Sequence, residues 1–410
     1  MTDETLAHIK HSIARAMGGR FYPEKFKGID LDAISSEADF QKLPFTDKAD
    51  LRGAYPLGLL AAPEEKIVRV HSSSGTTGAP VIIPYTQQDV DDWTLMFCRC
   101  YETAGVTARD RVHITPGYGL WTAGIGFQLG AERLGAMAVP MGPGGTDKQI
   151  QMMIDMGSTV LCATSSYALL LAEEIEKRGV KSKIRLRKGI IGSERWGEKM
   201  RRRIAGELGV ELYDIYGLTE IYGPGIGINC KYGSGMHLWT DYLYPEIIDP
   251  KTGENLPGDQ IGELTLTTLC KEGAPLIRYR THDLTRMLPG VCACGRPYPR
   301  IDTIIGRSDD MVKVRGAIIY PGRVDALLAT IESVSSEYQI MIDHLNGRDI
   351  LTLFYETPLE KNTLAYKALE KMVEKSFKDK IGLTPVAKGV AIGELPRSEK
   401  KTTRVFDNRY

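Results

Sequence analysis

Short apolar runs alternating with amphipathic stretches set the character of the first half of the chain. Between Asp89 and Gly209 the runs Val112-His113-Ile114, Ala136-Met137-Ala138-Val139 and Thr159-Val160-Leu161-Cys162 are strand candidates, and Lys188 to Gly192 repeats the signal. Gln149 to Met156 and Tyr167 to Arg178 are helix candidates. Alternation at this spacing predicts βαβ units and a parallel sheet. Ahead of this region a helix is predicted over Thr5 to Met17. Two β-branched runs, Ile67-Val68-Arg69-Val70 and Val81-Ile82-Ile83, flank a loop of small residues and read as strands joined by it. The pattern changes after Gly223. Residues 226–305 carry short strands and turns, such as Glu246 to Gly253 and Gly262 to Thr267, and predict an antiparallel, β-rich subdomain. A charged, Gly-bounded stretch, Gly306 to Gly316, separates this from an α+β unit. That unit is read as strands over Tyr338 to Ile342 and Asp349 to Tyr355, a helix over Thr363 to Lys380 and a strand over Lys388 to Ile392.

Composition adds limits. At 410 residues the chain is long enough for two or three domains, and 42% apolar with 25% charged residues is ordinary for a soluble globular protein. Fifty-two basic residues balance 52 acidic ones, so the net charge of +0 offers no argument for nucleic acid or an anionic membrane as partner. The N-terminus is polar and lacks the apolar stretch of a signal peptide, and no segment has the apolar length to span a bilayer. A cytoplasmic location is expected. Seven irregularly spaced cysteines fit it, being no disulfide framework. Gly is plentiful, 43 residues, much of it in polar clusters that suit backbone brought close to a ligand.

Five loops can carry chemistry. Ser72-Ser73-Ser74-Gly75-Thr76-Thr77-Gly78-Ala79-Pro80 can wrap N–H and O–H donors around phosphate oxygens, although the same composition suits a surface loop. It is not the nucleotide loop of kinases and GTPases, because no Lys-Ser/Thr pair follows the last Gly. Tyr216-Gly217-Leu218-Thr219-Glu220 sets a carboxylate beyond an apparent strand, a good place to hold Mg²⁺ on a nucleotide. Tyr279-Arg280-Thr281-His282-Asp283 and Gly306-Arg307-Ser308-Asp309-Asp310 offer an Asp for ribose hydroxyls and an Arg for ribose or phosphate. Pro396 to Arg404 would by composition alone be a basic tail. Read singly, the second is equally well a strand-ending turn, and the third and fourth are more often solvated turns.

In this order the five elements resemble the adenylate-forming superfamily of acyl-CoA synthetases, adenylation domains and luciferases. Further text is similar to the phenylacetate–CoA ligase family within it: Leu43-Pro44-Phe45-Thr46-Asp47-Lys48-Ala49-Asp50-Leu51-Arg52, Gly117-Tyr118-Gly119-Leu120, Gly130 to Ala136 and Ile277-Arg278-Tyr279-Arg280-Thr281. The resemblance runs from about residue 10 to the C-terminus. It implies α/β and α+β architecture: a large N-terminal domain, 1–306, of mixed sheets flanked by helices with the β-rich subdomain, and a small mobile C-terminal domain, 307–410. It implies an ATP-dependent ligase that forms an acyl-adenylate from a small carboxylic acid, then the coenzyme A thioester, releasing AMP and pyrophosphate.

The family's roles fall on matching residues. Ser73, Ser74, Gly75, Thr76, Thr77 and Gly78 would hold the β- and γ-phosphates, with Thr76 and Thr77 taking part in catalysis. Glu220 would bind Mg²⁺. Ser193, Glu194, Asp214, Tyr216, Gly217 and Thr219 would line the adenine and acid side, Asp283 the ribose, with Arg307 beside it. Asp309 would be the hinge. Lys313, Arg315 and Gly316 would approach the coenzyme A channel after the domain swings. Lys401 would reach the α-phosphate and the attacking carboxylate. Two positions depart from the pattern: Val81 stands where the wider superfamily has a lysine, as in the phenylacetate branch, and Lys400 replaces the Gly usual before the catalytic lysine. Spacing from Arg397 and Arg404 favours Lys401 over Lys400.

Cys230 and His237, with Cys292-Ala293-Cys294, supply three thiolates and an imidazole, a closed tetrahedral set suited to structural Zn²⁺; buried, unliganded cysteines are the alternative. Tyr118, Trp121, Phe127, Ile221 and Tyr222 are an apolar and aromatic group suited to a flat acid such as an aryl acid, or else ordinary core. There are two rival functions: an adenylating enzyme with an amine, hydroxyl or carrier-protein acceptor, which shares every ATP motif, and a zinc-stabilised binding module that has lost catalysis, against which intact Asp283, Arg307 and Lys401 argue. The partners expected are therefore the acid, ATP and coenzyme A, with a homodimer compatible.

Overall fold

The computed structural model describes residues 1–73, 80–194, 196–345, 347–397 and 403–409. The apolar runs of the first half lie side by side in one nine-stranded sheet. Met137–Pro140, Arg111–Ile114, Val160–Thr164, Lys188–Gly192 and Glu211–Leu218 are neighbours in that order and run parallel. Within Val160–Thr164, Val160 and Cys162 enter the core around Phe97 and Tyr101, whereas Leu161 and Ala163 enter the core around Leu171 and Ile204. A strand covered on both faces is apolar at every position, which is why its sequence is an unbroken run. Helices Gln87–Thr103 and Ala123–Leu134 cover one face; Thr146–Met156, Ser165–Lys177 and Glu198–Leu208 cover the other. Gln87–Thr103 begins at a capping box in which Thr86 and Asp89 exchange hydrogen bonds. It approaches Ala123–Leu134 at Gly126, where a Cβ would lie 2.3 Å from Phe97.

Beyond Glu211–Leu218 the sheet continues with antiparallel strands, Gly223–Asn229, Met236–Leu238, Arg300–Ile301 and Met287–Leu288. Leu243–Ile248, Gly262–Thr268, Tyr279–Thr285 and Gly306–Arg307 form a separate antiparallel sheet of four. The β-rich region is thus present as expected, but its strands divide between two sheets. Local pattern marks a strand without naming its neighbour, because pairing is decided by contacts far along the chain. The segment 67–86 holds the two expected strands, Ile67–Ser72 and Ile82–Thr86, and they pair antiparallel.

The last hundred residues have their own core, built on Ile340, Leu353, Val373 and Phe377. Val386–Val390, Arg348–Glu356, Tyr338–Leu345 and Val405–Asp407 form its sheet, backed by Leu364–Ile381. The hairpin Val312–Val314 with Ala317–Ile319, the helix Pro321–Ala329 and the closing strand Val405–Asp407 add to the elements read from sequence. The hairpin buries only Val314 and Ile319 deeply, so its charged remainder looks like a linker.

Two cationic side chains tie the parts together. Lys199 Nζ donates to the carbonyls of Ile331 (2.6 Å), Leu328 (3.4 Å) and Val334. Arg397 spans Glu173, at 2.9 Å, and Glu356, at 2.8 Å. No helix among the described residues is long and apolar enough to cross a membrane.

Candidate active site

At the carboxyl ends of Lys188–Gly192 and Glu211–Leu218 a cavity of about 320 Å³ opens. Ligand crevices of open α/β sheets lie at these ends, where the next strand reverses direction, as Gly223–Asn229 does here. Ser73, Ser193, Glu194, Asp214, Tyr216, Gly217, Thr219, Glu220, Asp283 and Arg307, all expected from sequence, line it. Ser193 sits at the turn with φ +69°. The Glu194 carboxylate accepts from Ser166 Oγ at 2.6 Å. Gly217 is required by close approach: a Cβ there would stand 2.0 Å from the Gly223 carbonyl oxygen.

The floor is a polar chain. Tyr216 donates its O–H to Asp283 at 2.7 Å, and Arg307 lies 3.5 Å from the other Asp283 oxygen. Burial pushes the Asp283 carboxyl up to about 6, with Arg307 and the Tyr216 hydroxyl pulling it back. Arg307 is shared, since its Nε also pairs with Asp309 at 2.8 Å. Asp309 lines a second cavity, of about 500 Å³, between the two cores; Glu194, Arg307 and Asp310 border both.

Lys48 was not singled out from sequence. Its ammonium lies 3.2 Å from Glu220, itself buried. The delivery of Lys48 explains two motifs that had no separate chemistry. Arg278, fully buried, pairs with Glu246 at 3.1 Å and donates to the Leu43 carbonyl at 2.7 Å. The neighbouring backbone bonds Thr46 N–H to Arg278 O and Arg280 N–H to Thr46 O, at 3.0 and 2.8 Å. Helix Lys48–Gly53 starts immediately after, capped by Asp47 and Asp50. A lone lysine in a short helix carries no signal of its own; only this lattice aims it.

Of the five residues expected at an acid pocket, Trp121 lines the cavity. Tyr118 is half-buried and not part of the wall. Phe127, Ile221 and Tyr222 need correction: they are core. Phe127 packs its ring on Phe97, at 5.0 Å between centroids, and Ile221 and Tyr222 are fully buried. Met236, Ile304, Thr122 and Tyr279 line the cavity instead. Lys313, Arg315 and Gly316 occupy an exposed turn of the C-terminal hairpin, apart from the cavity. Ser74, Gly75, Thr76, Thr77, Gly78, Lys400 and Lys401 lie outside the described residues.

Cys230, His237, Cys292 and Cys294 do converge, their ligand atoms all within 4.8 Å of one another. Cys230 and Cys292 Sγ are 3.5 Å apart, and Cys294 Sγ is 3.3 Å from His237 Nε2. Ligands roughly 2.0–2.3 Å from a tetrahedral ion stand about 3.5 Å from one another, so the set fits. His237 Nδ1 donates to the Tyr298 carbonyl at 3.0 Å, which leaves the Nε2 lone pair facing the thiols. Arg300 fixes both ligand loops by donating to the carbonyls of Ser234, Pro289 and Gly290.

The family of AMP-binding enzymes matches residues 27–269, and its C-terminal domain matches residues 316–409. The phenylacetate-coenzyme A ligase of Pseudomonas putida is 42% identical over 95% of this chain and 89% of its own length. The chain belongs to the phenylacetate–CoA ligase family of AMP-binding enzymes. It is accordingly an AMP-forming acid–CoA ligase, with ATP, an acid and coenzyme A as substrates. Among solved structures, 2-hydroxyisobutyryl-CoA ligase in its postadenylation state with 2-HIB-AMP is similar at a TM-score of 0.89, 27% identity, over 99% of this chain and 89% of that one. The same ligase with 2-HIB-AMP and CoA in the thioesterification state, at the same identity and coverage, gives 0.71.

Proposed function

We propose that the acid is a small aryl carboxylate such as phenylacetate, activated in the cavity bounded by Glu220, Asp283 and Trp121 and then passed to coenzyme A. The observation that carries this reading is the convergence of Asp283, Arg307 and Glu220 with Lys48 on one cavity whose wall also offers Trp121, Ile304 and Met236. The 42% identity to a phenylacetate-coenzyme A ligase supports the aryl acid. A panel of aryl and alkyl acids compared by kcat/KM tests it: aryl acids should lead, and a preference for short alkyl acids would replace the substrate class while leaving the ligase.

The chemistry is a problem of charge. A carboxylate must attack an already anionic α-phosphate, and since the acid is ionised near pH 7 no general base is needed. Positive charge where negative charge accumulates is therefore the main lever. Lys401 supplies it at the α-phosphate, the 72–80 loop holds the departing pyrophosphate, and Lys48, beside Glu220, brings a further cation to the cavity. Mg²⁺, held by Glu220, would neutralise phosphate oxygens as a Lewis acid. Asp283 accepts from the ribose hydroxyls, with Tyr216 and Arg307 fixing its carboxylate.

Asp283→Ala is expected to raise the KM for ATP about tenfold or more, since a charge-assisted hydrogen bond is worth roughly 1.5–3 kcal/mol. Its pH dependence follows from the raised pKa. Above pH 6 the carboxylate is the better acceptor; as pH falls through about 6 it protonates and the KM for ATP should climb. Asp283→Asn should lack that climb. Initial-rate titrations of both proteins over pH 5–8 check it.

Thioester formation needs the thiol of coenzyme A to reach the adenylate carbonyl, and the turn bearing Lys313, Arg315 and Gly316 lies apart from the cavity. The closer likeness to a postadenylation than to a thioesterification arrangement supports a swing of the C-terminal domain about Asp309. Arg397 bridging Glu173 and Glu356 would hold the first arrangement. Glu173→Gln should slow adenylation several-fold while thioester formation from supplied acyl-adenylate is unchanged or faster. Rapid-quench assays of the two half-reactions decide, equal slowing of both being the contrary result.

The cysteine–histidine set we assign to structural Zn²⁺. Four protein ligands leave no open position, so its work is to join the 230–237 and 292–294 loops. Strand alternation turns His237 to the cluster and Met236 to the cavity.

A further inference from the structure

Lys271 is fully buried, yet among the described residues no carboxylate is in ion-pair contact with it. Its ammonium lies 4.0 Å from the Tyr85 ring centroid and 4.3 Å from that of Tyr222, and it donates to the Ile221 carbonyl oxygen. The head group thus sits against two ring faces and one carbonyl. A buried lysine is costly, and an apolar side chain of equal length would fill the space without desolvating a charge. Burial pushes the Lys271 pKa down to about 7, with the Asp89 charge pulling it back up, and charged or neutral the head group keeps an N–H grip on one backbone carbonyl.

That carbonyl belongs to the residue after Glu220. Around it the turn from Leu218 to Gly223 is pinned at further points. Tyr85 O–H donates to the Tyr222 carbonyl at 2.8 Å, Trp93 Nε1 to the Pro224 carbonyl at 2.8 Å, and Ile221 N–H closes on Leu218 O at 3.1 Å. Lys271 is itself fixed, because the Asp89 carboxylate accepts from the N–H groups of Glu272 and Gly273 at 2.7 and 2.8 Å. Tyr85 stands on Ile82–Thr86, the strand that leaves the 72–80 loop. One lysine head group therefore joins the turn carrying Glu220 to the strand carrying Tyr85.

We propose that Lys271 is a positioning residue for adenylation: clamped between Tyr85 and Tyr222 and bonded to the Ile221 carbonyl, it sets the turn carrying Glu220 against the strand Ile82–Thr86. The proposal rests on the reading of Glu220 as the residue that holds Mg²⁺. It predicts a defect confined to the half-reaction that uses Mg²⁺·ATP, although Lys271 touches neither.

The test is Lys271→Met, of similar length but without charge or donor. Acid-dependent ATP–pyrophosphate exchange should fall about 10- to 100-fold, as for a misplacement of about 1 Å in reacting groups, and half-saturation by Mg²⁺ should move to higher concentration. Thioester formation from supplied acyl-adenylate should stay within about twofold of wild type, since that step needs no Mg²⁺·ATP. Wild-type Mg²⁺ dependence in the variant, or equal losses in both half-reactions, would overturn the proposal. Should Lys271→Met fail to fold, Tyr85→Phe keeps the ring and deletes only the bond to the Tyr222 carbonyl. It should show the same one-sided defect at smaller amplitude, and no shift in its Mg²⁺ dependence would also overturn the proposal. Glu220→Gln is the reference: if it leaves Mg²⁺ dependence intact, the reading of Glu220 fails, whatever Lys271→Met does. Wild-type protein without acid-dependent exchange would instead fail the ligase reading.

Discussion

Lys401→Ala is expected to lose acyl-adenylate formation by at least 10²- to 10³-fold, the loss typical of removing one group that stabilises transition-state charge. Thioester formation from a presynthesised adenylate should be largely spared. The asymmetry follows from timing: the Lys401 charge is needed only while a carboxylate approaches the α-phosphate, and the thiol attacks a carbonyl with the phosphate already bonded. Single-turnover measurement of AMP and pyrophosphate on one side, and of thioester on the other, separates the steps. Lys400→Ala is the necessary partner variant, because Lys400 stands where the family has Gly. A larger effect at Lys400 would transfer the role, and equal loss of both half-reactions would remove it from the adenylation step.

Replacing Cys292 and Cys294 together by Ser should have the largest effect on stability. Purified wild type should carry about one equivalent of Zn²⁺, one closed set of four ligands holding one ion. A metal bound only by the folded state adds its binding free energy to folding, about 4 kcal/mol when free metal exceeds Kd a thousandfold. Loss of the ion should lower the thermal midpoint, while kinetic constants of the folded fraction change little because no ligand position is open to substrate. Elemental analysis finding no metal in protein produced with ample zinc would reject the site. A double variant of unchanged stability without turnover would place the cysteines in the chemistry.

The parallel strands were legible because burial on both faces leaves no polar position to interrupt them; Val160–Thr164 and Lys188–Gly192 are examples. Sheet membership in the β-rich region was not, since Met287–Leu288 and Arg300–Ile301 are two residues long and carry no period. The polar members of the cavity were legible, because Asp283, Arg307 and Glu220 sit in motifs whose composition points to a nucleotide. Apolar members were not. Phe127 and Tyr222 have the same chemistry whether they face a ligand or a core, and only packing against Phe97 or Lys271 distinguishes the cases. Lys48 and Lys271 are single lysines in short polar segments, and their meaning comes from partners 172 and 50 positions away, Glu220 and the Ile221 carbonyl.

The central claim, transfer of a small aryl acid through an adenylate to coenzyme A, is tested most directly by product analysis with phenylacetate, ATP and Mg²⁺, with and without coenzyme A. The prediction is sustained formation of AMP and pyrophosphate only when coenzyme A is present, with one phenylacetyl thioester formed per AMP. AMP formation that is indifferent to coenzyme A and yields no thioester would contradict it.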